Sequence, residues 1–335
     1  MDTPPPAALD PGTMTTALRS AWSIDPDQLA YVPKGVGSYH WRADCGGAGS
    51  YFVTVDDLDT KPWIGRDPEM TFTGLAAAYE TAWSLYESGL ELVVAPIPSR
   101  DGRLALRLDQ QYSIAVFPFV DGRAGTWGDP IAPDERDRLL RELAVLHRAT
   151  STVPAPIARR RRELPERDEL LDALANLDRP WRGGAYSERA RLALSEHASR
   201  VLERLARFDD LASHLDHAAT ETVVTHGEPH PGNLINTVRG LRLIDWDTVA
   251  LAEPERDLWM LDRGPNALDA YIESSGRVID QAAIDFYRLM WTLSDIASFT
   301  DMFRREHERT KWAEQKWSGF VTLLEGASST PYARR

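Results

Sequence analysis

Apolar positions change period along the chain. Before Val120 they fall mostly in short, strand-like runs, and beyond it they recur mostly at helical spacing. Residues 39–43 and 51–55 are rich in aromatic and β-branched side chains and flank the turn Gly46-Gly47-Ala48-Gly49, which predicts two strands. Residues 104–108 and 112–117 predict a further pair. Between these pairs, residues 72–88 place Leu75, Ala78, Tyr79, Ala82 and Leu85 on one helical face, and Gly89 follows as a stop. A short helix is expected over 14–22, with Thr13 as its cap. Residues 118–128 are turn-rich and form a candidate boundary.

The second part reads as helix broken by one irregular stretch. Residues 133–149 carry Leu139, Leu143 and Leu146, with Asp134 able to cap. The basic run 159–162 reads as a solvated loop, and 192–215 as one long helix. A strand is expected over 222–225. The loop 226–233 follows, broken by Gly227, Pro229, Pro231 and Gly232, and then a β-pair over 234–236 and 241–245. The last long helix covers 284–305 and sets Trp291 and Asp295 one turn apart. The expected organisation is therefore a tail over 1–13, a small sheet-rich lobe over 14–120 and a larger helical lobe over 121–335, an α+β arrangement.

Composition narrows the partners. Acidic residues outnumber basic ones by 51 to 38, giving a net charge of −13. That balance argues against nucleic acid, which requires a basic footprint; on charge alone it serves solubility, and it would also attract cationic ligands. Cys45 is the only cysteine, so an internal disulfide framework and a cysteine-based zinc site are excluded. No apolar run approaches the roughly 20 residues needed to span a bilayer. The Pro-rich start has neither a basic n-region nor an apolar h-region. A cytoplasmic protein without a membrane partner is the expectation.

The candidate chemistry lies in His226-Gly-Glu-Pro-His-Pro-Gly-Asn233 and Leu243-Ile-Asp-Trp-Asp247. Mg²⁺ takes oxygen ligands and keeps waters and substrate phosphates in its shell. Asn233 and Asp245 supply such oxygens. Glu228 is then available to accept a proton from an attacking hydroxyl. Prolines and glycines hold the loop in a fixed non-helical path, which suits phosphoryl transfer, where catalysis is positioning plus electrostatics. Rival readings fail on spacing. Pro229 denies the helix of a His-Glu-x-x-His zinc site, the later Cys-x-x-Cys of a zinc deaminase is missing, and no Walker A loop occurs.

The segment THGEPHPGNLI…LIDWDTVALAEPERDLW resembles the catalytic core of the aminoglycoside phosphotransferase and choline-kinase-like family, and within it the spectinomycin type of antibiotic phosphotransferase. The resemblance implies a bilobal protein-kinase-like fold and transfer of the γ-phosphate of ATP, or GTP, with Mg²⁺. It makes His226 the brace of the catalytic loop, Glu228 the base, Asn233 and Asp245 the metal ligands, and Asp257 an acidic buttress. In the first lobe it implies a phosphate-covering turn at Gly35, Gly37 and Ser38. It also implies Glu80 as the acidic partner of a nucleotide-binding lysine, and a hinge over 117–120 that includes Phe119.

Two positions depart from that family. Glu228 stands where an aspartate is expected, and Thr54 stands where a phosphate-binding lysine is expected. Lys61 is the first candidate to replace that lysine and Lys34 the second. The resemblance and the acidic balance together imply a small, cationic, hydroxylated acceptor such as an aminoglycoside or aminocyclitol, and hence antibiotic resistance. Asp262, Asp269, Trp291 and Asp295 are candidate wall residues. The sequence leaves open a metabolic kinase for a sugar or amino alcohol, and a kinase-like binding protein without activity. It says nothing of oligomeric state.

Overall fold

The computed structural model describes residues 5–35, 37–153, 157–218 and 221–326. The chain divides into two compact units. Unit 1 comprises 1–126, 141–160 and 223–252, and unit 2 comprises 127–140, 161–222 and 253–335. The expected boundary at 120–121 thus falls inside unit 1, and the loop 226–233 joins the same unit as the first sheet.

Unit 1 begins with helix α1 (Pro11–Trp22), whose N-cap is Asp10 rather than Thr13. The aspartate side chain accepts from the backbone N–H of Gly12 and Thr13, and Pro11 suits the first turn because its missing N–H would have no partner there. The ordered chain therefore reaches into the expected tail, where Leu9 is buried. Residues 1–4 of that tail lie outside the described residues. Next come β1 (Gln28–Val32), β2 (Ser38–Asp44) and β3 (Ser50–Asp57), then helix α2 (Pro68–Glu87), then β4 (Leu106–Arg107) and β5 (Tyr112–Pro118). They form an antiparallel sheet in the order β1-β2-β3-β5-β4.

Period-two alternation sorts this sheet's side chains. Val53, Val55, Ile114 and Val116 join Trp41 and the α1 residues Met14, Leu18 and Trp22 in one core. Phe52, Ala115 and Phe117 face the other way, with Leu58, Leu75 and Tyr79 of the following segment and α2. Thr54 shares that second face and is buried.

The rest of unit 1 is built from β6 (Arg123–Ala124), β7 (Val223–Thr225), β8 (Leu234–Thr237), β9 (Gly240–Leu243) and β10 (Ala250–Ala252). Strands β6, β8 and β9 form one sheet, and β10 pairs with β7 in another. Residues 92–94 run beside β9, with Leu243 N–H donating to Leu92 O (2.7 Å) and Val94 N–H donating to Leu243 O (3.1 Å). Residues 92–94 are thereby stitched directly to the strand that precedes Asp245.

Helix α3 (Pro133–Arg148) has residues in both units. Unit 2 holds α4 (Arg167–Ala175), α5 (Ser187–Glu196), α6 (Ala198–His217), α7 (Glu255–Leu258), α8 (Asp269–Ser275), α9 (Gln281–Arg304) and α10 (Lys311–Glu325). The long helix expected over 192–215 is two helices. The break falls at His197, whose ring Nδ1 lies 2.9 Å from the carbonyl of Ala193. The basic run is also not merely a solvated loop. Arg162 pairs with Asp216 and with buried Glu253, and Glu253 also accepts from Tyr287 Oη. Among the described residues no helix is long and apolar enough to cross a membrane.

Candidate active site

The loop after β7 is organised by buried His226. Backbone N–H of Glu228 donates to its Nδ1 (3.2 Å), so Nδ1 is the acceptor and Nε2 carries the proton, which it donates to Ile244 O (2.9 Å). One imidazole thus joins the loop to the residue before Asp245. Trp246 packs edge-on against it at 4.8 Å and donates its indole N–H to Leu243 O (2.8 Å). Thr248 donates to His226 O (2.8 Å). Gly227 holds φ +101°, a backbone that side chains strain to adopt.

Within the loop, Glu228 O accepts from His230 N–H (2.8 Å) and from the Asn233 side-chain nitrogen (3.0 Å). With that amide nitrogen used on the loop, Asn233 Oδ1 is the atom suited to a cation. The Glu228 carboxylate is one-third exposed and lies 3.9 Å from His230 Nε2. His230 does not act as an ion-pair partner, because burial and neighbouring His226 pull its pKa down to about 3. Glu228 is therefore a carboxylate one-third exposed on a backbone fixed at both ends.

Asp245 has left-handed dihedrals (φ 68°, ψ 64°), which cost a non-glycine residue about 1–3 kcal/mol. It keeps exposed surface, yet protein crowds its carboxyl. Desolvation first, then the carboxylate of Asp247, drive its pKa well above the usual range; Lys61 opposes this, and Glu228 and Asp56 add to it. A cation would relieve this concentration of negative charge. Among the described residues no group of three or more His, Cys, Asp or Glu is arranged as a metal cage. One amide oxygen and one carboxylate instead suit Mg²⁺, which draws the rest of its shell from water and phosphate.

Lys61 reaches this cluster from the segment after β3. Its side chain is 3% exposed, and Nζ lies 3.0 Å from Asp56 Oδ1 and 2.8 Å from Asp247 Oδ2. Burial disfavours its charge, but Asp247, Asp56 and Asp245 outweigh that and hold its pKa above the ordinary lysine value. Thr54, in the expected lysine's place, is 3.2 Å from Nδ1 of its cross-strand neighbour His40. Burial pulls the His40 pKa down to about 4, so at neutral pH neither residue carries charge there. Lys34 is exposed.

Glu80 is exposed on α2, and it is Tyr79 that faces inward and donates to Asp56 Oδ2 (3.1 Å). The reason is helical phase. Residues 71, 75, 78, 79, 82 and 85 share the buried face, and position 80 falls outside it. In the expected phosphate turn, Gly35 and Gly37 have φ +84° and +76°, and Ser38 donates to Asp56 Oδ1 (2.8 Å). Val36 of that turn lies outside the described residues. Phe119 is partly exposed under the Arg42 guanidinium (4.3 Å), and its N–H donates to Ser50 O (3.3 Å), which removes that donor from any base.

The remaining sequence-predicted residues belong to unit 2. Asp257 is fully buried in α7. Asp262 is paired with Arg288 (2.9 Å), and Asp269 is exposed at the start of α8. Trp291 stacks on Trp127 (5.3 Å, 17° between planes) and tilts against Trp259 (5.7 Å). Burial pushes the neighbouring Asp295 carboxyl up to about 6, against the opposing effect of Lys316. Sequence reading missed Asp56, Asp247, Tyr79 and Trp127. The alternation on β3 and the apolar phase of α2 are the signals that point to Asp56 and Tyr79.

The loop and hairpin thus bring an amide and two carboxylates together around a bracing histidine, in the same unit as the five-stranded sheet and the buried lysine that follows its strand β3. Residues 41–284 match the phosphotransferase enzyme family APH, and the chain belongs to that family, whose members act on hydroxyl groups of small molecules. Protein StrN of Streptomyces griseus is 28% identical over 313 residues, covering 88% of this chain and 86% of StrN. Two solved structures share the fold at 15% identity. Spectinomycin phosphotransferase APH(9)-Ia, with ADP and spectinomycin, has a TM-score of 0.72 over 96% of this chain and 95% of its own. Amicoumacin kinase hAmiN, with AMP-PNP, Ca²⁺ and Ami, has a TM-score of 0.63 over 97% and 96%.

Proposed function

We propose that the protein transfers the γ-phosphoryl group of ATP, or GTP, to a hydroxyl of an aminoglycoside- or aminocyclitol-type molecule. The observation that carries the transfer step is the joint placement of Glu228, Asn233 and Asp245 on one braced loop and hairpin. Asn233 Oδ1 and Asp245 would hold Mg²⁺, which neutralises phosphate charge when bound. Glu228 takes the proton of the acceptor hydroxyl as its oxygen bonds to phosphorus and the bond to the nucleotide diphosphate breaks. Lys61 supplies the fixed positive charge that Thr54 cannot.

The acceptor class rests on separate support. The net charge of −13 favours a cation, and unit 2 sets the Trp127–Trp291 stack beside Asp295, a pairing of aromatic faces and carboxylate suited to an amine-bearing ring. Asp262 is the weaker candidate, because Arg288 already neutralises it. APH(9)-Ia was solved with spectinomycin, which favours the aminocyclitol branch. Incubation of purified protein with Mg-ATP or Mg-GTP and a panel of aminoglycosides, aminocyclitols, choline and simple sugars tests the reading. A phosphorylated aminoglycoside or aminocyclitol is the expected product. Transfer only to choline or a simple sugar would remove the acceptor assignment, and no transfer to any acceptor would remove the activity.

A further inference from the structure

The buried charge cluster around Lys61 has an arrangement that the role of Lys61 alone does not account for. An ammonium has three N–H donors. Asp56 Oδ1 and Asp247 Oδ2 are within reach of two of them, which leaves one for an external acceptor. Asp56 is in turn fixed through both oxygens. Ser38 Oγ and Lys61 Nζ approach Oδ1, and Tyr79 Oη donates to Oδ2. Its carboxylate cannot rotate without breaking one of these contacts.

We propose that Tyr79, acting through Asp56, is a positioning residue that aims the Lys61 ammonium at the nucleotide phosphates. The proposal rests on the phosphotransferase reading above. Charge explains why a phenol occupies this place. Asp56, Asp247 and Asp245 already surround a single lysine, and a further carboxylate facing inward from α2 would add like charge to a desolvated site. A tyrosine satisfies Asp56 with a hydrogen bond and adds no charge. Burial, reinforced by these same aspartates, keeps the phenol protonated and therefore a donor. Its ring is locked edge-on against Phe117 at 5.6 Å.

The same relay reaches the glycine turn and the metal loop. Ser38 sits opposite Asp56 in the β2–β3 register, so the hydroxyl that holds Asp56 also tethers the turn. A Cβ on Gly37 would lie 3.3 Å from Thr60 Oγ1 and 3.5 Å from Lys61 Cγ, so the turn passes close to the segment that carries the lysine. Asp247 is two residues beyond Asp245. One hydrogen-bonded series thus runs from α2 through Asp56 and Lys61 to the segment that carries the metal carboxylate.

Calorimetric binding of Mg-ADP to the wild type, Tyr79→Phe, Lys61→Met and the double variant tests the relay, with the melting temperature of each measured in parallel. Lys61→Met should weaken binding about a hundredfold. Tyr79→Phe should weaken it about tenfold, the worth of a hydrogen bond to a charged group. The double variant should bind no worse than Lys61→Met, because Tyr79 acts only through the lysine. A Tyr79→Phe protein with lower melting temperature and unchanged affinity would overturn the proposal, as would additive effects in the double variant. If Lys61→Met does not fold, the affinity of Tyr79→Phe alone decides. Wild-type protein that binds no nucleotide would instead overturn the phosphotransferase reading itself.

Discussion

The two charged regions of unit 1 are built on opposite principles. The loop 226–233 is held by backbone: His226 bonds two main-chain groups, the Asn233 amide a third and Thr248 a fourth, and all of these partners lie within residues 226–248. The lysine cluster is held by side chains from β2, β3, α2 and the segment after β9, joined over long sequence distances. A backbone-held site keeps its geometry when a reacting side chain is changed, so substitutions there should read out as chemistry. A side-chain-held site shares its energy among partners, so substitutions should propagate and fail to add.

The largest effect should come from the backbone-held region. Asp245→Asn removes the carboxylate proposed to hold Mg²⁺, at a position whose strained backbone survives the change. We expect kcat/KM to fall about a thousandfold or more, with little change in melting temperature. A loss of stability without loss of turnover in steady-state assays would break the comparison, by showing that Asp245 is structural. Glu228→Asp comes next. It installs the aspartate that the sequence resemblance leads one to expect but shortens the side chain by one methylene, on a loop braced at both ends. A misplacement of about 1 Å costs roughly a hundredfold, and kcat should fall by that order. An unchanged or higher kcat would show that the loop adjusts to either acid.

The same contrast governs what the sequence reveals. The loop's irregular path was legible because proline and glycine announce it and because its partners are sequence neighbours; the structure bonds it, through His226 and Asn233, to Ile244 beside Asp245. The lysine cluster was only half legible. Lys61 stood out as the nearest lysine to the gap at Thr54, but nothing local links it to Asp247. Glu80 shows a different failure. The apolar phase of α2 already placed Tyr79 on the buried face, and likeness to the family drew the neighbouring acid inward against that phase. The break at His197 carried no proline or glycine, so one helix was expected where two exist. The sheet face of β3 was readable by alternation, and with it the burial of Thr54.

A smaller effect should separate bracing from chemistry within the loop. His226→Phe keeps the ring against Trp246 but loses the bonds to Ile244 O and Glu228 N–H. Two net hydrogen bonds amount to about 2 kcal/mol, which denaturant unfolding should register as a lower midpoint. If the variant unfolds like the wild type, the loop is held by its prolines and not by the imidazole.

The smallest expected effect lies in unit 2 and tests whether Asp295 meets the acceptor. Its carboxyl titrates at about 6, raised by burial against the nearby Lys316. Below that pH it is mostly neutral, and above it mostly charged, so attraction for a cationic acceptor should strengthen as pH rises through 6 and fade as pH falls. An ion pair open to solvent contributes no more than about 1 kcal/mol, which limits the change in acceptor KM to about fivefold. In Asp295→Asn the pH dependence near 6 should flatten, while KM for the nucleotide keeps its wild-type profile. A burial-raised acid also works against folding once ionised, so Asp295→Asn should be relatively more stable than wild type above pH 6 and equal to it below about pH 4. That stability signature belongs to burial alone, and the KM signature belongs to the acceptor. If the first appears without the second, Asp295 is a core carboxyl beneath the tryptophans and not part of the acceptor site.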